Sequence, residues 1–107
     1  MSIQSRADQV CKERGIPPIP IKCKVGGSSG GYISWWHTRG SKIPHSKYIV
    51  INMPQWFADK NWDDVVYTLA HELAHHETCC KDGHLRHTAK HAKLTNTIAK
   101  RLAQYKH

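Results

Sequence analysis

Acidic residues are scarce in this chain: eight Asp and Glu stand against sixteen Lys and Arg, for a net charge of +8. That imbalance favours polyanions through phosphate contacts and counterion release, which makes DNA a candidate partner through a basic surface. The plainer reading is a solvated basic tail, since Lys90, Lys93, Lys100, Arg101 and Lys106 all fall late. Long apolar runs are missing too. Nothing approaches the ~20 residues of a membrane span, so no membrane partner is expected. The opening "MSIQSRADQVCKERG" lacks the apolar core of a signal peptide. The expected compartment is therefore the cytoplasm, where Cys11 and Cys23 would be free thiols rather than a disulfide. Cys79 and Cys80 are adjacent and lack C-x-x-C spacing, which makes them weak ligands. There are no repeats and no long low-complexity tract, so 107 residues make one domain, 1–107.

What is present is punctuation and periodicity. Residues 2–14 read as a helix capped by Ser2 and stopped by Gly15. "IPPIPIKCKV" enters a strand over Ile19 to Val25, "GGSSGG" is the clearest turn, and "YISWWH" and "KYIVINM" are further strands. Adjacent strand residues point to opposite faces, so one of Trp35 and Trp36 is expected in the core. Pro54 opens a short helix, "PQWFADK". Asn61 or Asp63 opens a longer one through about Cys79, and a last helix runs from about residue 87 to Tyr105. The fold class is α+β, with a small three-stranded, mainly antiparallel sheet packed on two longer helices and an N-terminal helix.

On the longer helix, Trp62, Val65, Val66, Leu69 and Leu73 form an apolar stripe, with His71 and His75 one turn apart on the opposite side. With Glu72 between them they spell H-E-x-x-H: two imidazoles at i and i+4 chelate a zinc ion, and the glutamate serves as general base toward an activated water. His76 and Glu77 fall toward the core side and are not expected as ligands. A catalytic zinc of this type takes three protein ligands. Thr78 and Lys81 exclude the metzincin spacing, and no Asp or Glu follows Asp82, so the third ligand is a histidine. His87 and His84 are near-equal candidates, with His91 packed beneath the site on the stripe of Leu94, Ile98, Leu102 and Tyr105.

The lead-in "VVYTLAHELAHH", the preceding "IVINMP", and "DGHLRHTAKH" before a last helix resemble the SprT-like family of minimal zinc metallopeptidases, over roughly residues 45–105. Gly83-His84 matches the family's Gly-His element, while His91 stands where an aromatic is usual. The resemblance implies a zinc endopeptidase acting on protein or peptide substrates, with His71 and His75 as ligands and Glu72 as base. It also implies an edge strand, Tyr48 to Asn52, that pairs with an extended substrate backbone, and it suggests DNA-associated proteins as targets. The competing expectation is a non-enzymatic nucleic-acid- or protein-binding domain whose structural zinc is closed by four histidines, His84 and His87 among them.

Overall fold

In a computed structural model, residues 2–25 and 30–105 are described, apart from the side chains of Gln55 and Asp59. The elements are α1 (Ile3–Glu13), β1 (Ile21–Cys23), β2 (Gly31–Trp36), β3 (His45–Ile51), α2 (Gln55–Lys60), α3 (Trp62–Asp82) and α4 (Ala89–Ala103). Most of the glycine-rich turn at 26–31 lies outside the described residues. The class is α+β, and among the described residues no helix is long and apolar enough to cross a membrane.

Local chemistry sets the helix ends. The Ser2 hydroxyl accepts from the Ser5 amide at 3.1 Å and opens α1. Gly83 takes φ +72° after α3, a conformation that a side chain would strain, and its N–H closes on the Cys79 carbonyl. At the start of α4, Thr88 is the cap and its hydroxyl accepts from the His91 amide at 3.2 Å. His87 therefore sits just before the helix rather than in its first turn.

The sheet order is β1-β3-β2. β1 runs parallel to β3, and β2 runs antiparallel to it. The three-stranded sheet is mixed, with the longer of its two pairings antiparallel. One expectation is corrected: β3 is the central strand, so the segment around Tyr48 to Asn52 is not an edge. β1 leads to β2 on the far side of β3, and β2 runs opposite to both, so the return from β2 brings β3 in parallel to β1 as a short pair. Lys47 is the extra residue of a bulge, since Ser34 pairs with Tyr48 while Trp35 pairs with Ser46.

One hydrophobic cluster joins α1 (Ile3, Ala7, Val10) to Ile49 and Ile51, to Leu69 and Leu73 of α3, and to Leu94, Ile98 and Leu102 of α4. Burying each large aliphatic side chain there contributes about 1.5–3 kcal/mol. The side of α3 opposite the stripe is covered too. Glu72 and His75 are buried, as are His76, Glu77 and Thr78, because α4, β3 and the 14–20 loop cover the helix on several sides. Two polar contacts span these elements. Arg14 makes a two-pronged pair with buried Glu77, with Nη2 donating to Oε2 at 3.0 Å. The Trp62 indole N–H donates to the Leu102 carbonyl at 2.7 Å.

Neither tryptophan is core. Trp35 and Trp36 do lie on opposite faces, but β2 is an edge strand and both remain about half exposed, at 51% and 50%.

Candidate metal centre

The i, i+4 spacing on α3 brings the rings of His71 and His75 to 4.9 Å between centroids, edge to face. His75 is buried and His71 is half-buried. α4 packs along α3 and delivers His91 beneath them. A ring nitrogen of each of His71, His75 and His91 lies within 4.8 Å of the other two, so these three histidines could hold a metal ion. The segment entering α4 delivers His87 from the solvent side. Its Nε2 stands 3.2 Å from His75 Nε2 and 3.4 Å from His71 Nε2.

His91 differs from the others in its bonding. Its Nε2 lies 3.0 Å from the backbone carbonyl of His71, to which it donates, and its ring stacks on that of His75 at 4.0 Å and 27°. His84 goes elsewhere. Its Nδ1 accepts from the Arg86 amide, and its side chain lines a cavity of about 440 Å³ with Trp35, Lys42, Pro44, Gly83, Leu85 and Arg86. Cys79 and Cys80 do not join the cluster; the Cys79 thiol donates to the Pro44 carbonyl.

Burial sets the electrostatics. Desolvation pushes His75 down to about 4, helped by the neighbouring His91, His71 and His87. His71 is lowered by the same causes, burial first. Neutral imidazole is the form that binds a metal, so the pocket holds both rings in the ligating state near pH 7. Glu72 is 4% exposed, and burial raises its carboxyl to about 7. Its Oε1 lies 3.8 Å from His71 Nε2, while Oε2 has no hydrogen-bond partner among the described residues. A buried carboxylate oxygen left unsatisfied beside three converging imidazoles is costly unless a proton, water or cation completes it. His75 Nδ1 is also without a partner.

Sequence reasoning placed His76 and Glu77 off the metal, and both are engaged otherwise. His76 Nε2 is 2.7 Å from the Pro17 carbonyl and Nδ1 is 2.5 Å from the Ser46 hydroxyl, while Glu77 holds Arg14. A cavity of about 620 Å³ lies on this His76 side, lined by Ser46, Cys79 and Cys80 and not by the clustered histidines. Sequence reasoning missed the brace that His91 gives to the His71 carbonyl. The signal lay in the i, i+4 spacing of His87 and His91 across a threonine cap.

No family model, curated protein or solved structure matches this chain.

Proposed function

We propose that the protein is a zinc metallopeptidase of the SprT-like kind, with His71, His75 and His87 as ligands and Glu72 as general base. The observation that carries this reading is the convergence of three Nε2 atoms at 3.2 and 3.4 Å beside a buried carboxylate. Nitrogens about 2.0–2.1 Å from one tetrahedral zinc stand about 3.3–3.4 Å apart, which is close to the spacing of His87 Nε2 from each of the other two. His91 is close enough to be considered a ligand in place of His87. One feature disfavours it: a metal lies near the plane of the ring that binds it, and the rings of His75 and His91 are stacked at 4.0 Å and 27°. The His91 Nε2 donates to the His71 carbonyl, so Nδ1 is the nitrogen it would offer.

Bound there, zinc supplies Lewis acidity, polarising a carbonyl and lowering the pKa of water to about 7. The chain's own residues do the rest. Glu72, held near neutrality by burial, can take a proton from water and return one to the leaving amine. His87, on the exposed segment, puts the solvent-facing side of the cluster where a substrate would arrive. β2 is one of the two sheet edges, and Trp35 on it shares a cavity with the 83–86 loop that leads to His87. An extended peptide pairing with β2 would lay a side chain into that cavity.

The test is cleavage of an unfolded protein substrate by protein carrying one zinc per chain by elemental analysis. The reading expects activity that a chelator removes and zinc restores. A zinc-loaded protein inert toward every unfolded substrate would refute it.

A further inference from the structure

The outer face of the sheet takes no part in the metal centre. Ile21, Cys23, Ile33, Ile49 and Ile51 face the helices, so by the strand register Lys22, Tyr32, Ser34, Tyr48 and Val50 face away from them. Lys22, Val50 and Tyr32 form one row across the three strands, Tyr48 and Ser34 the next, and Trp36 stacked on His45 at 4.6 Å the third. Tyr32 and Trp36 are about half exposed. Lys22 Nζ sits 4.0 Å from the centre of the Tyr48 ring and Lys47 Nζ sits 5.9 Å away.

Charge is distributed unevenly to match. From position 15 to 58 the chain has Lys22, Lys24, Arg39, Lys42 and Lys47 and not one Asp or Glu. Those five side chains are exposed. Several cations of the helices are already neutralised: Arg14 by Glu77, Lys90 by Asp82 and Arg101 by Glu13. Uncompensated charge therefore lies on the sheet and its loops as well as on Lys93 and Lys100 of the late helix.

We propose that this sheet face binds single-stranded nucleic acid, with bases stacking on Tyr32, Tyr48 and Trp36 and phosphates contacting Lys22, Lys24 and Lys47. Aromatic rings on an open strand surface bordered by cations suit unstacked bases, whose faces a duplex keeps hidden. Lys22 leaves the Tyr48 ring for a phosphate as a base takes its place. The inference is independent of whether the metal centre cleaves peptides.

The test is fluorescence anisotropy of labelled oligo-dT and oligo-rU, about 12 nucleotides long, against the intact zinc-loaded protein. Three phosphate contacts give a log–log salt slope of about −2, so affinity should fall roughly 20-fold from 50 to 200 mM salt. Replacing Lys22, Lys24 and Lys47 together by Gln should flatten that slope. Tyr32→Ala should weaken binding by roughly 5- to 150-fold. Tyr32→Leu keeps Val50 covered without a ring and should weaken binding equally in a protein whose circular dichroism is unchanged. Tighter binding of one oligomer identifies DNA or RNA as the natural source of the same chemistry. Three results would overturn the proposal: no binding up to about 100 µM protein at 50 mM salt, equal binding to a poly-glutamate peptide, or binding lost only when Lys90, Lys93 and Lys100 are changed.

Discussion

Replacing His87 and His91 by alanine, one at a time, should separate holding the metal from holding the site together. His87 is exposed and its ring contacts are to the other histidines, so His87→Ala should leave the metal-free fold within about 0.5 kcal/mol of wild type. Zinc affinity should fall well beyond the roughly 10- to 100-fold typical of losing an outer-shell partner. His91 is 3% exposed, donates to the His71 carbonyl and stacks on His75. Truncating it removes a hydrogen bond with a net contribution of about 0.5–1.5 kcal/mol. It also leaves a cavity, which brings the cost for a large buried side chain to about 2–4 kcal/mol. Zinc should still bind, weakened by about 10- to 100-fold because His71 loses its brace. Urea unfolding of the metal-free proteins reads the first quantity, and competition against a chromogenic chelator reads the second. Should His91→Ala abolish zinc binding at unchanged metal-free stability while His87→Ala binds normally, the assignment of His87 as ligand is wrong.

Two further predictions concern the scaffold. Arg14→Met strands the buried Glu77 carboxylate, with only Lys81 left at 3.7 Å, and should cost about 3 kcal/mol in urea unfolding; a loss under about 0.5 kcal/mol would mean the pair is idle. Glu13 is held down at about 2 by hydrogen bonds from Arg101 first and Tyr105 second, against an ordinary value of 4.5. Its folded pKa lies below the unfolded one, so the stability it contributes is present above about 4.5 and disappears as pH falls through about 2. Wild type should therefore be more stable than Glu13→Gln at pH 7, with the gap closing in acid; a gap independent of pH would assign the effect to packing.

Much of the centre was legible because it is local. H-E-x-x-H on one helix fixes His71, Glu72 and His75 by spacing alone, and the apolar stripe of α4 places that helix against α3, carrying His87 and His91 with it. What was not legible depends on pairing between distant segments. Strand order cannot be read from the alternation within each strand, so the parallel β1 and the central position of β3 stayed hidden. The burial of Glu72 and His75 comes from what covers α3, not from α3 itself. The late basic residues read as a solvated tail, yet Lys90 and Arg101 are paired: Glu13 is far from Arg101 along the chain, and only the fold brings Asp82 to Lys90. The twin tryptophans pointed to opposite faces as strand geometry requires, yet neither reached the core, because an edge strand offers a partner on one side only.

The most direct test of the central claim compares wild type with Glu72→Gln, both loaded with zinc, for cleavage of an unfolded protein substrate. Equal zinc content with a turnover at least about 100-fold lower in Glu72→Gln is the expected result, since a positioned general base contributes roughly 10²- to 10⁴-fold. Equal turnover in the two proteins, at equal zinc content, would contradict it.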